Sequence, residues 1–363
     1  MKLLTVVGAR PQFIKAAVVS RALARLEASV REVLVHTGQH YDPNMSEVFF
    51  TELDLAAPDH HLGVGGGTHG QNTGRMLERL EAVMLAERPD RVLVYGDTDS
   101  TIAGALAAAK LHIPVAHVEA GLRSYNRRMP EEQNRVLTDH LADQLFAPTR
   151  VAVENLAKEG IAGPGVRLVG DVMYDGALHY AAKAERESTI LADHGLEAGG
   201  YVLATLHRQE NADDARRLRE LVEALGRSPL PVVWPLHPRT RQRLAAFGLA
   251  LPPTVRSLEP VGYLDMVRLE QHAAVIVTDS GGVQKEAYFH GVPCITLRPE
   301  TEWVELVACG ANELLTDDLA DRLPARIAAR AGERVGQDGH RPYGDGTAGE
   351  QIARAMLEAA QST

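Results

Sequence analysis

Between Arg91 and Asp143 the sequence runs RVLVYGDTDST and then IPVAHVEAGLRSYNRRMPEEQNRVLTDHLAD, and three of its carboxylates are spaced for chemistry. Asp97 follows the apolar run Val92 to Val94, and Glu119 follows Val115 to Val118. Continuous apolar or β-branched runs separated by a helical pattern are those of interior strands in a parallel sheet. Asp97 and Glu119 therefore belong at strand ends, in the crevice where open α/β sheets hold ligands. Pro130 suits a first helical turn, which puts Glu131 and Arg135, four residues apart, on one helix face. Carboxylates among arginines fit a reaction in which acids exchange protons while cations and backbone amides hold an anionic leaving group.

Other stretches would hold that anion. Leu3 to Val7 reads as a strand, and Gly8-Ala9-Arg10-Pro11 turns into a helix carrying Lys15. A helix entered through glycine offers free amide donors, with Arg10 and Lys15 adding positive charge. Farther on, the strand-like Val202 to Thr205 and Val232 to Pro235 lead at once into His207-Arg208-Gln209-Glu210-Asn211 and His237-Pro238-Arg239. Each histidine has a functional reading and an alternative as a helix cap or a contact to a surface partner. Val275 to Thr278 delivers Asp279-Ser280-Gly281-Gly282 into another helix, where two glycines permit close approach of a diphosphate and Ser280 donates a further hydrogen bond. Glu286, one turn on, is placed to accept from sugar hydroxyls.

Other chemistries find less support. His60-His61 are adjacent, and His36 and His40 lie in a polar loop, so neither pair has the character of a metal site. Ser280 lacks the G-x-S-x-G elbow of a serine hydrolase. Gly8-Ala9-Arg10-Pro11 lacks the glycine spacing of a dinucleotide or Walker motif. No metal and no cofactor are expected.

The elements that position these residues form two strand-helix series. At 363 residues the chain points to two domains. The first, residues 1–170, has strands at Leu3 to Val7, Val30 to Val35, Val92 to Val94, Val115 to Val118, Gln144 to Ala147 and Val166 to Val169, an order that predicts an α/β, doubly wound sheet. His117, inside an apolar run, reads as a satisfied core histidine. Gly65 to Gly67 are either a flap over a ligand or a flexible connection, and Tyr41 to Asn44 are a polar loop leading to the aromatic pair Phe49-Phe50. The charged run Ala177 to Ala192, with Gly195 and Gly199-Gly200, marks passage into a second domain, residues 171–345. Cys294 to Leu297 is its expected final strand. Residues 346–363 form a helix that would brace the first domain.

Hydrophobic residues make up 45% and charged residues 24%, as in a folded globular protein. A formal charge of −10 argues against a nucleic-acid coat, while a local group of arginines still suits an anionic ligand. Cys294 and Cys309 read as free thiols of a reducing compartment. No run reaches the length of a membrane span and the N-terminus lacks a signal-peptide pattern, so a cytoplasmic location is expected.

Taken together, GARPQFIK, VYGDTDST, HVEAGLRS, RRMPEEQNR, TLHRQEN, HPRT, DSGGVQKEA and LRPETEW resemble, in order and across nearly the whole chain, the non-hydrolysing UDP-N-acetylglucosamine 2-epimerases. The resemblance implies two Rossmann-like domains around a deep cleft, as in GT-B glycosyltransferases, and a homodimer active on a UDP sugar. It implies Asp97, Glu119, Glu131 and His207 as catalytic residues. Arg10, Lys15, Ser280, Gly281 and Gly282 would hold the diphosphate, Glu286 the ribose, and Arg135 and His237 would support the same pocket. The implied reaction eliminates UDP with the C2 proton to a 2-acetamidoglucal and adds both back with inversion, converting UDP-GlcNAc to UDP-ManNAc. Two departures stand out. GTRPE of the family is here Gly8-Ala9-Arg10-Pro11-Gln12, and Gln39-His40 is followed by Tyr41-Asp42-Pro43-Asn44-Met45 in place of the loop used for substrate activation, so activation in that form is not expected. RRMPEE also resembles relatives acting on 2,3-diacetamido uronic acids, for which Arg127 and Arg128 would meet an added carboxylate; a GT-B glycosyltransferase is a further alternative.

Overall fold

A computed structural model describes residues 1–26, 30–39, 50–336, 339 and 341–361. The chain divides into two units, Met1–Gly176 with Arg341–Thr363, and Ala177–His340. In the first, β1 (Lys2–Val7), α1 (Arg10–Arg25), β2 (Arg31–His36), β3 (His60–His61), α2 (His69–Glu87), β4 (Arg91–Tyr95), α3 (Asp99–Lys110), β5 (Val115–Val118), α4 (Pro130–Leu141), β6 (Gln144–Ala147), α5 (Arg150–Lys158) and β7 (Val166–Leu168) follow one another. The strands form one parallel sheet in the order β3-β2-β1-β4-β5-β6-β7. The direction of winding reverses between β1 and β4, which is the switch point of a doubly wound sheet.

Apolar side chains on both strand faces account for this packing. Leu4, Val6, Val33, Val35, Val92 and Val94 join Met76, Leu80 and Met84 of α2 and Ala103 and Ala107 of α3 in one core. Small residues let α3 lie close to the sheet: a Cβ on Gly104 would stand 3.1 Å from Val94. Threonines start three helices, since Thr68, Thr98 and Thr149 accept from Gln71, Thr101 and Ala152 amides respectively. The C-terminal helix Ala348–Gln361 also belongs to this unit, where Asp175 accepts from the Gly349 amide at 2.8 Å and Gly349 lies against Val18 of α1.

The second unit repeats the plan. Its main elements are β8 (Val202–Thr205), α6 (Ala215–Gly226), β9 (Val232–Pro235), α7 (Pro238–Ala246), β10 (Val255–Leu258), α8 (Tyr263–His272), β11 (Val275–Thr278), α9 (Gly281–Phe289), β12 (Cys294–Thr296), β13 (Asn312–Leu314) and α10 (Leu319–Arg330). The parallel order is β10-β9-β8-β11-β12-β13, so this sheet reverses between β8 and β11.

Three strands differ from the sequence-based expectation. His60-His61 form β3 rather than an isolated polar pair; Val255–Leu258 is a strand; and β12 is followed by β13, so Cys294 to Leu297 does not close the series. All three are edge strands, exposed along one side and therefore without the continuous apolar run of an interior strand. The expectations for His40, Tyr41 to Asn44, Met45 and Phe49 lie outside the described residues. No helix among the described residues is long and apolar enough to cross a membrane.

Gly121, in the turn after β5, has φ +84°, and a Cβ there would fall 2.4 Å from the Ala152 carbonyl oxygen. Gly121→Ala is expected to cost about 3 kcal/mol of stability through backbone strain and collision with α5. Urea unfolding that matched the parent protein would contradict this packing.

Candidate active site

In the first unit the C-terminal ends of β1 and β4 converge through one buried amide. Gln12 Oε1 accepts from the Gly8 and Ala9 amides at 2.8 and 3.0 Å, while its Nε2 donates to the Tyr95 carbonyl at 2.7 Å and to Thr98 and Thr101 hydroxyls at 3.0 and 2.9 Å. A glutamate in this place would accept the first pair but could not donate to a carbonyl. Gln12 thus has a structural reason to depart from the GTRPE pattern. Arg10 stands at the first position of α1, and Gly8 is required beside it because a Cβ would strike Ser100 and Thr37.

Beyond this junction the carboxylates separate by environment. Glu119, at φ +74°, makes a buried ion pair with Lys15. Lys15 therefore meets Glu119 in this structure, and Arg10 is the residue at the helix start. Asp97 is half-buried and receives both Nε, at 3.1 Å, and Nη2 of the buried Arg135. The other arm of Arg135 donates to Glu132 at 2.8 Å. Glu132 also accepts from the Ser124 and Tyr125 amides at 2.9 and 2.8 Å. Its neighbour Glu131 is half-exposed on the first turn of α4 and has no hydrogen bond or ion pair among the described residues. Adjacent carboxylates thus divide into an anchor, Glu132, and an available acid, Glu131.

In the second unit Asp279, wholly buried at the end of β11, organises the end of β8. It accepts from the His207 and Arg208 amides at 3.1 Å and from Asn211 Nδ2 at 3.0 Å, and its Oδ1 stands 3.4 Å from His207 Nδ1. Desolvation of the ring, reinforced by Arg208 and Arg239, holds His207 below the ordinary histidine value against the opposing pull of Asp279. The His237 ring lies 5.5 Å from that of His207. His237 also caps α7, accepting the Arg239 amide on Nδ1 at 3.2 Å, so the capping alternative is realised.

The start of α9 is built from behind. Ser280 occupies its N-cap with no side-chain cap bond, an arrangement suited to an anion at the helix amides. Trp303 Nε1 donates to the Gly281 carbonyl at 3.0 Å, and a Cβ on Gly281 would lie 2.8 Å from Glu302. Lys285 rests over the Trp303 ring at 3.9 Å. A Cβ on Gly282 would meet Glu286 Oε2 and Ser280 Oγ only at 3.9 and 4.0 Å, and Glu286 is buried one turn along. The anchors Gln12, Glu132, Asp279 and Trp303 are absent from the sequence-derived site; only their position beside its residues could have signalled them.

Residues 22–357 match the protein family described as UDP-N-acetylglucosamine 2-epimerase. The chain belongs to this family. It is 53% identical over 363 residues to the Pseudomonas aeruginosa UDP-2,3-diacetamido-2,3-dideoxy-D-glucuronate 2-epimerase, covering 99% of this chain and 100% of that one. It is 43% identical over 366 residues to the Methanocaldococcus jannaschii UDP-N-acetylglucosamine 2-epimerase, covering 98% and 99%. The crystal structure of the Methanocaldococcus enzyme with UDP-GlcNAc and UDP superposes with a TM-score of 0.91 over 99% of this chain and 100% of that chain. The two parallel sheets are accordingly the tandem Rossmann-like domains of this epimerase family, GT-B-like in class.

Arg135→Lys in this epimerase would keep a charge but lose the planar fork that joins Asp97 to Glu132. It should lower unfolding stability by about 1–3 kcal/mol, the cost of an unsatisfied buried acceptor, and lower turnover roughly 100-fold by misplacing Asp97. Parent-like stability and turnover together would rule out this bridge.

Proposed function

We propose that this enzyme reversibly inverts C2 of UDP-GlcNAc to give UDP-ManNAc. In the forward direction a carboxylate removes the C2 proton as the C1–O bond breaks, the electron pair of that bond leaving with UDP to yield a 2-acetamidoglucal. Addition of UDP at C1 and of a proton at the opposite face of C2 completes the inversion. Glu119, Glu131 and Asp97 share the proton transfers, since delivery to opposite faces calls for more than one positioned group. Lys15 and Arg135 hold two of these carboxylates in place. Arg10 and His207 stabilise the departing diphosphate, with Ser280, Gly281 and Gly282 binding it through the start of α9; Glu286 accepts from ribose, and His237 supports His207. The enzyme acts as a cytoplasmic homodimer. The observation that carries this reading is the division of labour among the acids: Glu131 stands unengaged while Glu132 is consumed by structure.

A second reading takes UDP-2,3-diacetamido-2,3-dideoxy-D-glucuronate as the substrate of the same inversion. The higher identity to the Pseudomonas relative favours it. Arg127 and Arg128 are exposed before α4 and would meet its carboxylate.

NMR of the purified protein with UDP-GlcNAc in deuterated water should show C2 deuterium incorporation together with UDP-ManNAc. Glu119→Gln and Glu131→Gln should each lower both signals roughly 100-fold or more. If both variants keep full exchange and epimerisation, the assignment of the acids is wrong. Turnover of the diacetamido uronate alone would select the second reading, and failure on both sugars in a UDP-binding protein would overturn the epimerase proposal.

A further inference from the structure

His117 lies on β5 between β4 and β6 and is wholly buried, yet both ring nitrogens face oxygen acceptors. Nε2 is 2.7 Å from the Gly96 carbonyl oxygen, and Nδ1 is 2.7 Å from Asp139 Oδ1. A carbonyl oxygen only accepts, so Nε2 carries a proton and donates it. The second oxygen of Asp139 accepts from the Gly121 amide at 3.0 Å and from Arg123 Nη1 at 2.7 Å. Arg123 is held in turn by Glu159, with Nε and Nη2 each donating at 2.7 Å. Burial would raise the Asp139 pKa, but hydrogen bonds and charge from His117 and Arg123 outweigh it and hold the carboxyl below its ordinary value.

This chain of bonds joins two turns. Gly96, at φ +62°, immediately precedes Asp97; Gly121 closes the turn that begins at Glu119. The turns also touch, since a Cβ on Gly96 would stand 3.3 Å from both Glu119 Oε2 and Lys15 Nζ. Movement of the Gly96 carbonyl would therefore shift Asp97 and disturb the Glu119 carboxylate together.

We propose that His117, anchored by Asp139, is a positioning residue that sets the separation of the Asp97 and Glu119 carboxylates through the Gly96 carbonyl. It rests on the C2-epimerase reading and assigns the buried imidazole no contact with substrate. Its consequence is selective: loss of the Gly96 bond should impair proton transfer while leaving UDP-sugar affinity nearly intact.

Asparagine and glutamine separate the two bonds, because an asparagine amide nitrogen stands in for Nδ1 and a glutamine amide nitrogen for Nε2. His117→Asn should retain Asp139 and release Gly96, whereas His117→Gln should retain Gly96, with Asp139 still served by Gly121 and Arg123. With rates normalised to UDP-binding sites, His117→Asn is expected to lose roughly 100-fold in kcat for C2 deuterium exchange, the scale of a small misplacement of a reacting group, with KM within about threefold. His117→Gln should recover most of that loss. The parent protein is assayed first, so absence of exchange there counts against the epimerase reading itself. Equal kcat in all three proteins, or losses that follow thermal stability without rescue by glutamine, would overturn the positioning role. Should His117→Asn fail to fold, Asp139→Asn provides the second test. An unchanged kcat in that variant would overturn the proposal, and a fall in kcat at constant KM would support it.

Discussion

Strands buried on both faces leave polar side chains few places to go. In each parallel sheet the interior runs are apolar along their length, and helices cover their faces. Polar groups consequently gather where the strands end. Reversal of the winding between β1 and β4, and again between β8 and β11, opens those ends to a ligand. The carboxylates of the first unit and the His207 and Ser280 regions of the second occupy this same topological place.

Crowding polar groups at strand ends creates a second demand, because every buried one must be satisfied. A separate set of residues meets it. Gln12 spends its whole amide on two turns, Asp279 takes the amides that follow β8, and Glu132 gathers those of Ser124 and Tyr125. None of these groups needs to touch a substrate. By absorbing the backbone's unpaired donors and acceptors they give the neighbouring Asp97, Glu131 and His207 fixed surroundings.

Such placement is maintained against local strain. Glu119 holds a positive φ although it is not glycine, and Gly96 and Gly121 do the same on either side of it. Lys15, His117, Asp139 and Arg123 surround this stretch with buried ionic and hydrogen-bonded contacts. Removing one member of such a network leaves another charge or dipole uncompensated, so the network's contribution is fixed geometry more than net stability.

Interior strands were legible in the sequence because their apolar runs are uninterrupted, and the ends of those runs located Asp97, Glu119, His207 and the Ser280 glycines. The edge strands β3, β10 and β13 were not, since half-exposed strands carry mixed side chains. Motif order identified the family, but composition alone could not distinguish the two adjacent glutamates Glu131 and Glu132; their difference in surroundings comes from Arg135 and the Ser124 turn, which the fold brings to only one of them. Likewise Lys15 reads as a cation at a helix start and becomes the partner of Glu119 across 104 residues of sequence. Short-range patterns determine which segments are strands and where their polar ends lie, because hydrophobic periodicity acts over a few residues. Only tertiary structure decides which polar ends are consumed by one another, because that depends on contacts between segments far apart in the chain.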